Sequence, residues 1–308
     1  MGQSTRIDWC DSSWNPVTGC LHGCEYCYAR NIAKRFSCEG QTLDAPAELQ
    51  RVWLMDGGTD LRQKGCHVLR YPVRLLDSGR ICPYPFAFAP TLHRYKLDEP
   101  QKWKTPKNIF VCSMADLMGA WVPDTWKQEV IAACKAAPQH RYLFLTKNPY
   151  GYNVWPTPGH PAEHEFDQDN FWLGCSLTGR EDLSRYDGHY GRYLYAMGGN
   201  MIPGRAHRFI SIEPIMGDVM ELPGYVKRYS ALQDAMMSSV RGYAGHIEWI
   251  IIGAETGNRK GKVMPERAWI DKIVDGCLKY HIPLFMKESL REMMGDDFRQ
   301  EFPWEVKQ

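Results

Sequence analysis

The chain has 308 residues, 44% hydrophobic and 24% charged, with a formal net charge of +1. That length can bury a large core in one barrel-sized domain or two smaller ones. The balanced charge excludes whole-chain attraction to polyanions, so any basic patch is local, and the absence of a run of 18 apolar residues excludes a membrane-spanning helix. The first residues, Met1 to Arg6, lack an apolar signal segment, and Arg6 stands where a myristoylation signal needs Ser or Thr. Eleven cysteines without an export signal imply a reducing, cytoplasmic setting, where thiols serve metals or packing instead of disulfides.

Residues 6–10 have the composition of a short first strand. Asp11 to Gly19 is rich in turn formers, including Asn15-Pro16 and Gly19, and suits a loop that presents the segment from Cys20 onward. Tyr28 to Phe36 has helical spacing, with Ala29, Ile32, Ala33 and Phe36 on one face and Arg30, Lys34 and Arg35 on the other.

Between loop and helix lies Cys20-Leu21-His22-Gly23-Cys24-Glu25-Tyr26-Cys27. Thiolates spaced C-x3-C-x2-C can turn inward from one short loop around a soft metal centre. A cubane iron–sulfur cluster takes four cysteines, and this motif supplies three. One iron then keeps an open position, as catalytic metal sites do. Other readings of the same residues stay open. Zinc is compatible with the three thiols plus His22 or a distant ligand, a remote fourth cysteine closes a structural cluster, and three packing thiols need no metal.

The motif, with Tyr26 before its last cysteine, resembles that of the radical S-adenosylmethionine (SAM) superfamily. The longer run Asn15-Pro16-Val17-Thr18-Gly19-Cys20 to Cys27-Tyr28-Ala29-Arg30 is similar to that of spore photoproduct lyase and its relatives. Over most of its length the chain resembles a phage- and bacteria-associated three-Cys-motif family of unassigned function. Landmarks of that likeness are Ile109 to Leu117, Leu145-Thr146-Lys147, Ser211-Ile212-Glu213-Pro214 and Ile252 to Gly257. Many members of that family have a longer gap between the first two cysteines. The three-residue gap here is that of the wider superfamily. The resemblance implies a [4Fe-4S] cluster on Cys20, Cys24 and Cys27, SAM as cofactor, an electron donor, and a partner protein encoded beside some relatives.

Residues 37–107 break the strand–helix rhythm and read as an insertion. From Arg62 to Lys107 there are ten Lys/Arg against three Asp/Glu, interleaved with Tyr71, Tyr84, Phe86, Phe88, Tyr95 and Trp103. Cations mixed with rings suit a nucleic-acid surface over 62–107, and equally suit a solvated face whose rings pack inward. Cys38, Cys66 and Cys82 have no ligand-pair spacing; packing thiols or a second metal site both fit.

After Lys107 the rhythm is regular. Apolar runs at 108–113, 141–146, 170–176, 207–213, 248–253 and 282–287 read as strands, with helices over 123–137 and 265–281. Short continuous apolar strands alternating with helices indicate a parallel sheet covered on both faces. The expected fold is α/β, a parallel βα barrel, complete or partial, forming one domain over 1–308 with 37–107 inserted.

In such sheets the reacting groups sit at the carboxyl ends of strands. Those ends carry Ser113 with Asp116, Thr146 with Lys147, Ser176, Glu213, Glu255 and Lys287. The resemblance gives them roles. Ser113, Asp116 and the carbonyls near Met114 would accept from the SAM amino group, and Lys147 would meet its carboxylate. Ser176 or Glu213 would bind the ribose, while Tyr26 and Ile252-Gly253 would flank adenine. Glu255 and Lys287 would face the substrate as catalytic groups, although Glu213 and Lys287 also suit a structural ion pair. The function implied is reductive cleavage of SAM to a 5′-deoxyadenosyl radical that takes hydrogen from a substrate, with a nucleic-acid base as the candidate. The other class is a non-catalytic iron–sulfur or zinc module that binds nucleic acid or senses redox state.

Overall fold

The computed structural model describes residues 5, 7–44, 55–56, 59–60, 65–152, 165–179, 205–220, 232, 236 and 247–305. The chain divides into two compact units. One comprises Met1–Arg6, Cys10–Phe144 and Val154–Glu165, the other Ile7–Trp9, Leu145–Asn153 and Phe166–Gln308.

In the first unit, β1 (Ser12–Trp14) and β2 (Val17–Thr18) precede helix α1 (Tyr28–Arg35). Six short strands come next: β3 (Leu43–Asp44), β4 (Met55–Asp56), β5 (Thr59–Asp60), β6 (His67–Leu69), β7 (Arg74–Leu75) and β8 (Thr91–His93). Then come β9 (Asn108–Val111), helix α2 (Asp124–Lys135) and β10 (Arg141–Thr146). β1 and β10 flank β9, both parallel to it. A separate small sheet sets β8 antiparallel to β2 and parallel to β6.

The second unit contains β11 (Phe171–Leu177), β12 (His207–Ile212), β13 (Trp249–Ile252), helix α3 (Arg267–Tyr280) and β14 (Leu284–Met286). Its strands pair in that order, all parallel. Every residue of β11 and β13 is buried, as a sheet covered on both faces requires. Each buried isoleucine of β13 contributes about 1.5–3 kcal/mol of burial. The main sheet runs β1-β9-β10-β11-β12-β13-β14. Among the described residues β1 and β14 do not pair with each other, and the parallel α/β sheet expected from the sequence is present.

Three expectations need correction. The first strand lies at Ser12–Trp14 instead of 6–10. The reason is Trp9, which turns into the second unit's core against Phe209 and Trp249, while Asp8 accepts from the Glu288 amide. Asp11 then joins β9 through two hydrogen bonds with Asn108. Second, only Ala29 and Ala33 of α1 are buried; Ile32 and Phe36 face outward. Third, Cys38 and Cys82 form a disulfide, within a buried cluster with Leu69, Val73 and Leu75. Those two thiols therefore serve neither as metal ligands nor as free packing groups. In the insertion, three of the six rings noted in the sequence pack against other side chains. Phe86 stacks on His67 at 3.8 Å, Phe86 and Tyr95 pack on the disulfide cluster, and Trp103 meets His140 edge-on. Tyr71 stays exposed, and residues 45–54, 57–58 and 61–64 of the insertion lie outside the described residues. Among the described residues no helix is long and apolar enough to cross a membrane.

Candidate metal centre and polar strand ends

The cysteine loop grows from the carboxyl ends of β1 and β9. Asn15, just past β1, accepts through Oδ1 from the Ser113 hydroxyl at 3.2 Å and the Met114 amide at 2.9 Å. The Gly19 amide donates to the Met114 carbonyl at 2.9 Å, and Gly19 forms a parallel bridge with Ala115. Gly19 has φ +87°, and a Cβ there would collide with the Ala89 carbonyl. Only glycine fits both demands. The Cys20 amide donates to Phe88 O at 3.3 Å, so the insertion itself props the loop.

At its far end the loop runs directly into α1. Cys27 is the N-cap, its sulfur accepting from the Arg30 amide at 3.4 Å. His22 Nε2 donates to Asp116 Oδ2 at 2.7 Å, and the His22 ring sits edge-on to Trp121 at 4.8 Å. The other Asp116 oxygen accepts from the Met118 amide at 3.0 Å. Asp116 is buried, and this double use makes it the anchor of the loop. The Tyr28 hydroxyl donates to the Ser113 carbonyl at 2.7 Å. Tyr26 is half-buried within the loop.

Cys20, Cys24 and Cys27 are half-buried thiols. Burial pushes Cys20 up to about 12, and the negative charges of Asp116, Cys24 and Cys27 add to the shift against the lowering effect of the His22 amide. Three thiolates there repel one another, and a cationic iron or zinc centre relieves that repulsion. The donor set fits a thiolate-bound metal in the identity and sequence spacing of its sulfurs. Among the described residues no three His, Cys, Asp or Glu side chains are already gathered as a metal cage.

The second unit carries the other candidates. Lys147, just after β10, donates to Ser176 Oγ at 3.4 Å. Ser211 lies directly across from Ser176 in register; its hydroxyl is buried without a hydrogen-bond partner among the described residues. Glu213 after β12 pairs with Lys287 after β14, the ion pair that the sequence left open beside a substrate role. Gly253 leaves room for the Lys287 stem, since a Cβ there would stand 2.9 Å from Lys287 Cδ. Glu255 is 4% exposed. It accepts from Arg259 Nε at 2.6 Å and Nη2 at 2.8 Å, and from the Val263 amide at 3.4 Å. The Arg259 hydrogen bonds hold its carboxyl below the usual range despite burial. It pins the loop after β13.

Sequence reasoning missed Asn15, Tyr28 and Arg259 as contributors. Asn15 and Tyr28 lie inside the run around the cysteines, so that run held their signal; Arg259 had none.

The family model described as "Protein of unknown function (DUF5131)" matches residues 4–296. The chain belongs to this family. No curated protein matches the sequence. Solved structures of spore photoproduct lyase resemble this DUF5131 chain distantly. One mutant is 9% identical with a TM-score of 0.46, the match covering 93% of this chain and 78% of that one. A second mutant is 9% identical at a TM-score of 0.44, covering 96% and 77%. The lyase complexed with dinucleoside spore photoproduct is 9% identical at a TM-score of 0.45, also covering 96% and 77%. At that distance they fix no residue role.

Proposed function

We propose that this chain is a radical SAM enzyme with a [4Fe-4S] cluster on Cys20, Cys24 and Cys27 and a nucleic-acid base as substrate. The observation that carries the reading is the cysteine loop itself: three half-buried thiols spaced C-x3-C-x2-C, with the start of the loop hydrogen-bonded to the backbone just past β9 and no fourth cysteine in the loop. When bound and reduced, the cluster supplies the electron for cleaving SAM to methionine and a 5′-deoxyadenosyl radical.

The chain's own residues position and shield. Asp116 fixes His22 and with it the span between the first two cysteines. Asn15 accepts from the Met114 amide and Tyr28 donates to the Ser113 carbonyl, so both engage the backbone just past β9. Trp121 packs edge-on against the His22 ring. In the second unit, the Lys147 ammonium beside the Ser176 hydroxyl suits a carboxylate next to a diol. The base as substrate is supported by the likeness of the Asn15-to-Arg30 run to the spore photoproduct lyase group. An enzyme acting on a base must first expose it.

One observation favours a second reading. A histidine held by a carboxylate through one nitrogen presents the other to a metal, the arrangement common at zinc sites. His22 on Asp116 has that arrangement, so a Cys3His zinc site is the alternative. Metal analysis after anaerobic reconstitution separates the two. About four irons and four sulfides per chain support the cluster. A single zinc that survives reconstitution, with the His22→Ala variant losing it, contradicts it.

A further inference from the structure

We propose that the outer face of α1 is a contact surface for single-stranded nucleic acid, placed immediately after the metal-binding loop. This deepens the reading above and rests on it for its purpose.

Residues 28, 32 and 36 succeed one another at four-residue steps, each advancing about 40° round a helix. They form one stripe, with Ala29 and Ala33 turned to the core beside it. The stripe is uncovered: Tyr28 is 50% exposed, Ile32 37% and Phe36 52%. Leu21, in the preceding loop, is 52% exposed. Large apolar groups grouped on a surface mark a binding site, whereas the same groups scattered singly do not.

Charge identifies the occupant. From Tyr28 to Phe36 the chain carries Arg30, Lys34 and Arg35 and no carboxylate. Arg35 lies over the Phe36 ring at 5.4 Å, so cation and ring act as one element. Both cations of the last turn, Lys34 and Arg35, lie at the end where Phe36 is displayed. Exposed rings on which bases stack, beside cations that meet phosphates, are the requirements for gripping a single strand. The hydroxyl of Tyr28 is tied to the Ser113 carbonyl, which fixes that ring in place before any strand arrives. Helix α1 thus combines displayed rings with cations, whereas Phe86, Tyr95 and Trp103 of the insertion pack against other side chains. Because Cys27 caps α1, a strand lying on the helix is delivered beside the cysteines.

The test is fluorescence polarisation of a labelled single-stranded oligonucleotide across a salt series. It compares the full chain with Phe36→Ala and with the double variant Lys34→Ala/Arg35→Ala. All three positions are exposed, and circular dichroism melts check that folding is kept. The Phe36 change should weaken binding about 5- to 150-fold, the worth of one stacked base. The double change should flatten the slope of log K against log salt by about 1.4, or two single-strand phosphate contacts. Unchanged affinity and slope in both variants, or no oligonucleotide binding by the wild type at low salt, overturns the proposal. So does binding of an acidic protein donor that these variants abolish while oligonucleotide binding stays intact. Oligonucleotide-free SAM cleavage, measured in parallel, reports separately on the enzyme reading: its loss sinks that reading and leaves the surface standing, and the converse holds.

Discussion

His22 and Asp116 stand 94 residues apart in sequence and meet at 2.7 Å, one in the cysteine loop and the other just beyond β9. Through this contact a buried carboxylate ties the loop to the strand layer that supports it. Asp116→Ala removes the acceptor for both His22 and the Met118 amide. The expected cost is about 1–3 kcal/mol of stability, with reduced iron uptake on reconstitution. Denaturant melts and iron analysis check this; wild-type values of both would show that the contact does not hold the loop.

Gly19 and Gly23 both have positive φ, but only Gly19 faces a neighbouring backbone. Gly23→Ala should therefore cost about 1–2 kcal/mol, the ordinary penalty of left-handed geometry. Gly19→Ala should cost distinctly more, because its new methyl meets the Ala89 carbonyl. Urea midpoints of the two variants give the comparison directly.

Glu213 and Lys287 form a partly buried ion pair in the second unit. A double-mutant cycle with Glu213→Gln and Lys287→Met should return a coupling of about 1–2 kcal/mol in unfolding free energy. Near-zero coupling would argue that the pair is incidental and return both residues to substrate contact.

His93 is fully buried between Thr18, at 2.9 Å from its Nε2, and Tyr95, at 3.2 Å from its Nδ1. Burial, and secondarily the Lys96 charge, lower its pKa from 6.5 to about 3. Between these values the unfolded chain binds a proton that the folded chain refuses. His93 therefore makes stability fall as pH drops from about 6.5 toward 3, by roughly 1 kcal/mol per pH unit. Replacing it by Gln should flatten the pH dependence of urea unfolding over that range; an unchanged slope contradicts the assignment.

The parallel strands were legible because runs such as Trp249 to Ile252 and Arg141 to Thr146 admit few alternatives once their lengths and spacing are noted. The first strand was misplaced because Ile7 and Trp9 have strand-like composition, yet serve the second unit's core. Periodicity put Ile32 and Phe36 with Ala29 and Ala33, but only the alanines are buried, and the larger side chains stay outside. Cysteine spacing cannot choose pairings, so the Cys38–Cys82 bond was invisible. Polar strand ends were legible as a set. Their partners were not, because Arg259 reaches Glu255 across a loop, where helical spacing rules do not apply.

The most direct test of the central claim is 5′-deoxyadenosine formation. The protein is reconstituted anaerobically with iron and sulfide, reduced with dithionite, given SAM, and analysed by liquid chromatography beside its Cys24→Ala variant. The account predicts 5′-deoxyadenosine from the wild type and none from the variant. A fully loaded wild-type protein that neither binds SAM nor forms the product would contradict it and leave a closed metal module as the better description.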